Sequence, residues 1–214
     1  MLENPFRFER DGKKQGASRI GGLDEAGRGP LAGPVAAAVC VFLEEVRFAG
    51  LNDSKQLSEV ERERLFKEIT VHPSIEWAIG LASAAEIDQF NIVRATFLAM
   101  NRALAQLATK PDLLLIDGHL APSFGIPIVP IVKGDAQSAS IAAASILAKV
   151  TRDRLMTELG AEFPQYGFKE HKGYGTPQHL TALRQWGPSN VHRKTFAPVS
   201  PKSQETLDLP LHFY

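Results

Sequence analysis

The order of the chain's apolar segments limits its fold more than any other feature of the sequence. Residues 20–24 and 35–43 have the composition of strands, and the Gly- and Pro-rich segment between them indicates a hairpin. Three further strand-like segments, residues 75–82, 112–117 and 127–132, then alternate with helical ones. A hairpin followed by alternating strands and helices predicts an α/β fold with a mixed five-stranded sheet flanked by helices.

Four segments carry helix signals. A capping box at Ser58 predicts a helix that begins just after it. Apolar residues recur at helical spacing over residues 91–107, and the Ala-rich residues 138–159 predict a long helix. A last helix is predicted over residues 176–187, with Thr176 as its N-cap. These helices alternate with the later strands, as the mixed sheet requires.

Length and composition indicate one main domain. The 214 residues are 44% hydrophobic and 22% charged, which is ordinary for a globular protein with one sizeable core. We expect residues 1–18 to be an N-terminal extension and residues 19–199 to form the main domain, including a C-terminal helical part. Residues 200–214 contain prolines among polar residues and are interpreted as a tail.

Several features favour a soluble, cytoplasmic monomer without a membrane partner. Cys40 is the single cysteine and cannot pair within the chain, which fits a reducing compartment. The N-terminal residues are too charged for a secretory signal. The longest apolar run, residues 35–43, is far shorter than the roughly 20 residues of a membrane span.

The overall charge argues mildly against a nucleic-acid partner, but the distribution of charge favours one. The 24 Lys and Arg balance the 24 Asp and Glu, so the net charge is zero. Residues 163–194, however, hold five Lys or Arg and one Glu, a net charge of +4. A basic C-terminal third could therefore contact phosphates beside an acidic site elsewhere.

Four carboxylates stand near predicted strand ends. Asp24 and Glu25 end the first strand before a Gly-rich turn, Asp117 ends the fourth, and Asp135 follows the fifth. Because neighbouring side chains on a strand face opposite sides, Glu25 joins the site only if the chain bends there or the side chain reaches round the edge. The alternatives are a polar strand end, a turn at Asp117 and a helix N-cap at Asp135.

A cluster of carboxylates needs cations to offset its repulsion. Two Mg²⁺ or Mn²⁺ ions about 3.5–4 Å apart are a known solution in phosphodiester hydrolysis, and the sequence has no Cys/His cluster for zinc. Asp153 lies 18 helical positions beyond Asp135, or about 27 Å, so the two cannot share a metal. Asp153 is therefore interpreted as a surface partner of Arg152 or Arg154.

Seven strings, in order over roughly residues 19 to 199, closely resemble the ribonuclease HII family. They are GLDEAGRGPLAGPV, LNDSKQLS, LLLIDG, VKGD, SIAAASILAKVTRD, FPQYGFKEHKGYGT and GPSNVHRKTFAPV. The resemblance implies a ribonuclease H-like fold and an endonuclease that cuts the RNA strand of RNA–DNA hybrids. It also implies cleavage 5′ of single ribonucleotides in duplex DNA by two-metal-ion catalysis, with 3′-hydroxyl and 5′-phosphate products.

The same resemblance assigns roles to individual residues. Asp24, Glu25, Asp117 and Asp135 would be the catalytic ligands of the metals. Gly27, Arg28 and Gly29 would contact the 2′-hydroxyl, the group that distinguishes RNA from DNA. Tyr174 would read the RNA-to-DNA junction. Further phosphate contacts are expected from the remaining polar positions, which are Ser54, Lys55, Lys172, Arg193 and Lys194.

Other functions are less consistent with these strings. The Gly-Arg-Gly form favours type HII over the related HIII enzymes, and a helicase is excluded because the chain has no phosphate-binding loop motif. A DNA-only nuclease of the same fold class and a non-catalytic hybrid-binding module remain as alternatives, which a cleavage assay would separate.

The tail carries a short apolar pattern of its own. Leu207, Leu209 and Leu211 lie in TLDLPLHFY, which looks like the peptides with which replication proteins dock on a sliding clamp, although Thr206 stands where those peptides carry Gln. The alternative is that these leucines pack against the enzyme's own body, and this alternative is favoured because short motifs arise easily.

Overall fold

A computed structural model describes residues 2–119 and 123–200. The strands are β1 (Ile20–Ala26), β2 (Val35–Phe42), β3 (Ile75–Ala82), β4 (Leu113–Asp117) and β5 (Ile128–Ile131). The helices are α1 (Arg7–Lys14), α2 (Glu59–Val71), α3 (Ala84–Phe90), α4 (Ile92–Gln106), α5 (Ala139–Glu162), α6 (Phe168–His171) and α7 (Pro177–Trp186). None of the helices in the described residues is long and apolar enough to cross a membrane.

The five strands form one mixed sheet in the order β3-β2-β1-β4-β5. β1, β2 and β3 pair antiparallel, whereas β4 pairs parallel with both β1 and β5. The predicted fold class is therefore confirmed. Since β1, β4 and β5 run in the same direction, their carboxyl ends meet at one edge of the sheet.

Helices cover both faces of the sheet, which explains why β2 is buried along its whole length. Alternate residues of β2 enter two cores: Ala38 and Cys40 pack with α2 and α5, and Val39 and Val41 pack with α3 and α4. Small and β-branched side chains suit a strand that is buried on both faces. The sheet thus lies in the middle of a three-layer arrangement.

Helix α5 lies unusually close to the central strand. A Cβ built on Gly22 of β1 would lie 2.2 Å from the backbone carbon of Ser140, so only glycine permits this contact. Ser138 caps α5 by accepting a hydrogen bond from the Ile141 amide. The start of α5 therefore packs against β1 at Gly22, two residues before Asp24.

The structure adds detail at both ends of the chain. The first residues, expected as an extension, form α1, and Leu2 and Phe6 join the core beside α5. The C-terminal helices α6 and α7 pack on the second half of α5 through a separate apolar cluster that includes Met156 and Phe168. The tail residues 201–214, with the expected docking leucines, lie outside the described residues.

Candidate active site

Three carboxylates meet at the edge where the parallel strands end. Asp24 lies in β1, Asp117 ends β4, and Asp135 lies in a short 3-10 helix, Gly134–Ala136, after β5. One oxygen of each lies within 4.8 Å of the others. The Gly134 amide donates to Asp117 Oδ1 at 2.6 Å, which fixes that carboxylate beside the segment of Asp135. The structure therefore brings together three of the four expected metal ligands.

The cluster is electrostatically unfavourable as it stands. Burial raises the pKa of Asp24 well above its ordinary value, and the charges of Glu25 and Asp117 raise it further. Burial, followed by the charge of Asp117, raises the pKa of Asp135 to about 6. Lys55 offers partial compensation, since its Nζ lies 3.7 Å from Asp135 Oδ2 on a side chain that is 76% exposed. A cation placed among these oxygens would relieve their repulsion.

These residues fit a divalent metal. All three ligands are carboxylate oxygens, which hard cations such as Mg²⁺ and Mn²⁺ prefer. Asp24 and Asp135 are buried, and carboxylates that share a buried site are costly without a counter-charge. The sequence expectation of an oxygen-ligated metal centre is consistent with this geometry.

Glu25 occupies the next position of β1 and stands outside the three-residue cluster. The strand continues through Glu25, which pairs with Ala37, so the chain does not bend there. Its Oε1 accepts from Arg28 Nη1 at 3.2 Å, and both side chains line a cavity of about 140 Å³ together with Asp117. Glu25 therefore lies beside Asp117 but outside the three-carboxylate cluster, and its place among the metal ligands stays a prediction.

The segment between β1 and β2, residues 27–34, is here called the glycine loop. Arg193 donates to the carbonyls of Gly27 at 2.6 Å and of Arg28 at 2.8 Å. Because the C=O and N–H of a trans peptide point in opposite directions, the amides of Arg28 and Gly29 point away from Arg193. The loop thus presents two amide donors on the side opposite the buried guanidinium.

A second buried arginine, Arg152 of α5, holds the other half of the glycine loop. Its guanidinium donates to the carbonyls of Pro34 at 2.9 Å, Ala32 at 3.1 Å and Lys172 at 3.0 Å. Gly27 has φ +93°, and a Cβ built on it would lie 1.9 Å from Arg152 Nε. Only glycine therefore fits against this side chain in this backbone conformation.

Tyr174 lies next to the glycine loop. Its ring carbon Cε1 would be 3.8 Å from a Cβ built on Gly29, and the residue is 47% exposed. The Leu31 amide donates to the Gly173 carbonyl at 2.8 Å, which ties the two segments together. Gly29 and Tyr174 thus lie side by side, next to Arg28, which lines a cavity with Glu25 and Asp117.

The sequence pattern of these elements matches the family model for ribonuclease HII over residues 21–199. The chain belongs to the ribonuclease HII family. A ribonuclease HII of Clostridioides difficile (strain 630) is 51% identical over 195 residues, which cover 91% of this chain and 76% of the relative. Membership of this family makes the chain a ribonuclease H enzyme, and the structural matches agree with it.

Two solved structures of relatives share the fold. The ribonuclease H2 of Pyrococcus horikoshii OT3 superposes with a TM-score of 0.72 at 28% identity, covering 89% of this chain and 99% of that one. A ribonuclease HII of Archaeoglobus fulgidus, solved in a complex with PCNA, gives a TM-score of 0.67 at 26% identity and covers 83% and 95%. The ribonuclease H-like architecture expected from the strings is therefore confirmed.

Two expected phosphate contacts of the ribonuclease HII strings are placed differently from the expectation. Arg193 is fully buried and donates to loop carbonyls, so its guanidinium is not available to a phosphate. Ser54 is also buried, and its hydroxyl lies 2.8 Å from that of Ser145. Ser145 in turn hydrogen-bonds Asp24 and lowers its pKa, so Ser54 reaches the site only through Ser145.

The other expected cations remain accessible. Lys55 and Lys194 are exposed, and Lys172 is half-buried with its Nζ donating to the Lys169 carbonyl.

Asp153 pairs with Lys149 at 2.8 Å, while Arg154 pairs with Glu63 at 2.5 Å, so the expected pairing of Asp153 with a neighbouring arginine is wrong.

Sequence reasoning missed Ser145 and Arg152 as supports of the site. One signal could have found both: they lie on α5 at helical spacing with the buried Ile141 and Ala148, so all four share the face that packs on the sheet. A polar side chain on such a face needs a buried partner. For these two residues the partners are Asp24 and the glycine loop.

Proposed function

We propose that this enzyme hydrolyses the RNA strand of RNA–DNA hybrids and also cuts on the 5′ side of single ribonucleotides embedded in duplex DNA. Cleavage would leave 3′-hydroxyl and 5′-phosphate ends. The observation that carries the proposal is that Arg28 lines one cavity with Asp117 of the carboxylate cluster and adjoins Gly29, which lies beside Tyr174. Groups suited to phosphodiester hydrolysis and groups suited to recognising a 2′-hydroxyl thus share one edge of the sheet.

Asp24, Asp117 and Asp135 would hold two divalent cations, with Glu25 completing the ligand set from its side of the strand. Bound there, Mg²⁺ or Mn²⁺ would supply the positive charge that activates water and stabilises the departing 3′ oxygen. The raised pKa values of Asp24 and Asp135 support this assignment, because both carboxylates gain from a nearby positive charge.

The glycine loop would recognise the ribonucleotide. The amides of Arg28 and Gly29 can donate to a 2′-hydroxyl, and the absence of a side chain at Gly29 lets the sugar approach closely. Tyr174, beside Gly29, would pack on the neighbouring deoxyribose, so that a step from RNA to DNA is read at one place. Lys55, Lys172 and Lys194 would contact phosphates, which position the strand without reading its sequence.

A panel of three duplexes tests this proposal: one with a single ribonucleotide, one RNA–DNA hybrid and one of DNA alone. The enzyme should cut the first two in Mg²⁺ or Mn²⁺ and leave the third intact. Cleavage of the all-DNA duplex at a comparable rate would favour a DNA nuclease instead. Binding of the hybrid without cleavage in either metal would favour a non-catalytic module.

A further proposal concerns the tail, for which a relative solved with PCNA is relevant. Docking of Leu207, Leu209 and Leu211 on a sliding clamp would raise the enzyme's concentration at newly made DNA. Titration of a peptide covering residues 201–214 against the cognate clamp tests it, with Leu209→Ala and Leu211→Ala as controls. If the peptide fails to bind at high micromolar concentration and deletion of the tail lowers the melting temperature, the leucines pack on the enzyme instead.

A further inference from the structure

His179 and His192 form a buried pair beneath the surface that carries Tyr174. They are 0% and 1% exposed, and their Nε2 atoms lie 3.0 Å apart. The rings of Tyr166 and Phe168 enclose them, with Tyr166 4.7 Å from His192 and Phe168 5.4 Å from His179 between ring centroids. Two imidazoles facing each other in an apolar enclosure must share their protons in a defined way, since only one of the facing nitrogens can donate.

Each end of the histidine pair fixes the position of a proton. The Ser189 amide donates to His192 Nδ1 at 3.0 Å, so that nitrogen is an acceptor and the ring proton is on Nε2. The His192 Nε2–H then donates to His179 Nε2, which leaves the proton of His179 on Nδ1. His179 Nδ1 lies 2.9 Å from the Tyr174 carbonyl, which can only accept. The constraints from the two ends therefore agree on one pair of tautomers.

Burial supports this neutral arrangement. It lowers the pKa of both rings, and the neighbouring His179 contributes to lowering the pKa of His192 to about 4. A second proton on either ring would place two donors against each other or a donor against the Ser189 amide. Both rings are therefore neutral at the pH where a ribonuclease works.

The histidine pair is connected to both elements that face the substrate. His192 forms an isolated β-bridge with Ala32 of the glycine loop, and the amides on either side, Gly33 and Arg193, hydrogen-bond across the same junction. His171 stacks on His179 with centroids 4.6 Å apart, and its carbonyl accepts from the Tyr174 amide at 2.9 Å. The pair thus joins the backbone of Tyr174 to the backbone of the glycine loop.

We propose that His179 and His192 are positioning residues that set the distance between Tyr174 and Gly29 and so control selectivity for the RNA-to-DNA step. This inference rests on the proposed role of Tyr174 at that step. His179 acts through its Nδ1–H on the Tyr174 carbonyl, and His192 acts by holding His179 in the tautomer that carries this proton. Both rings are buried, so neither is accessible to a substrate.

The test compares variants of His179 that keep or lose the donor. Asn at this position can place its amide nitrogen near the site of Nδ1, whereas Leu has a similar size and no donor. The readout is the ratio of kcat/KM on a single-ribonucleotide duplex to kcat/KM on an RNA–DNA hybrid. His179→Leu should lower this ratio about 10-fold, the factor that loss of one hydrogen bond of ordinary strength implies, and His179→Asn should largely restore it.

Tyr174→Ala is measured alongside to separate the proposed role of Tyr174 from the positioning role of the histidine pair. If Tyr174→Ala leaves the ratio unchanged, the proposed role of Tyr174 fails. If Tyr174→Ala lowers the ratio and His179→Leu does not, the positioning inference alone fails. The double variant should be no less selective than Tyr174→Ala, because residues that act through one another are not additive.

A measurement on the unaltered enzyme guards against variants that do not fold. Nitrogen NMR of the histidine rings should show His179 protonated on Nδ1 and His192 on Nε2, both neutral at pH 7. The opposite tautomers, or a charged ring in either residue, would overturn the inference whatever the variants do.

Discussion

Replacing Arg193 by Met tests whether this arginine supports the glycine loop or contacts nucleic acid. The substitution keeps an unbranched side chain of similar length and removes the guanidinium. Three loop carbonyls, those of Gly27, Arg28 and Gly33, lose the donor that Arg193 supplies, whereas the Pro34 carbonyl keeps its hydrogen bond from Arg152. Each buried acceptor left without a partner costs about 1–3 kcal/mol.

An opposing effect reduces the total. Burial lowers the pKa of Arg193 to about 9, so the charge itself is costly to bury and its removal returns part of the loss. Three carbonyls lose their donor and one buried charge is removed, so the loss of hydrogen bonds outweighs the gain. The net destabilisation should be about 3 kcal/mol, which for a protein of this size lowers the melting temperature by roughly 6–12 °C.

Lys194→Met is the matched control, since it alters the adjacent, exposed cation in the same way. Scanning calorimetry should show a large shift for Arg193→Met and almost none for Lys194→Met. Binding of a hybrid duplex should instead respond to Lys194→Met and not to Arg193→Met. Loss of one phosphate contact at Lys194 should reduce the slope of log affinity against log salt concentration by about one unit. A reduced salt slope for Arg193→Met at an unchanged melting temperature would refute the structural role.

Three further predictions concern the carboxylates, the histidine pair and the glycine loop. Asp24→Asn should raise the melting temperature of the metal-free enzyme, because burial disfavours the charge that the substitution removes. It should also lower the cleavage rate about 100-fold or more. A lower melting temperature would contradict the proposed cost of burying this charge. His192 has a folded pKa of about 4 against 6.5, so its stabilising contribution is complete above pH 6.5 and is lost as pH falls toward 4, by about 3 kcal/mol. The free energies of unfolding in urea of wild type and His192→Gln should converge over that pH range. If the two change in parallel with pH, the stabilising contribution of neutral His192 is excluded. Gly27→Ala should destabilise more than Gly125→Ala, since both have positive φ but only Gly27 abuts Arg152; equal losses would mean that the contact is unimportant.

The sequence predicted the carboxylate cluster because strand direction decides it. Asp24 lies near the carboxyl end of β1, Asp117 ends its parallel neighbour β4, and Asp135 follows the next strand, so alternation of strands and helices was enough to bring them to one edge. The capping signals at Ser58 and Thr176 also located α2 and α7 correctly, since a cap acts within four residues.

Residues whose environment depends on distant contacts were not predictable in the same way. Arg193 was expected on the surface, as most arginines are, and only the packing of the C-terminal segment against the glycine loop buries it. The contact of His179 with His192 also depends on how the chain returns after α7. Local sequence patterns do not show which distant segments of the chain come into contact.

The most direct test of the central claim is to map the cut in a duplex whose only ribonucleotide is moved along one strand. With Mg²⁺ or Mn²⁺, the enzyme should cut immediately 5′ of the ribonucleotide at every position, leaving a 3′-hydroxyl, and Asp117→Asn should abolish the product. A cut that stays in place when the ribonucleotide moves, or that persists in Asp117→Asn at saturating metal, would contradict the assignment of this site and its chemistry.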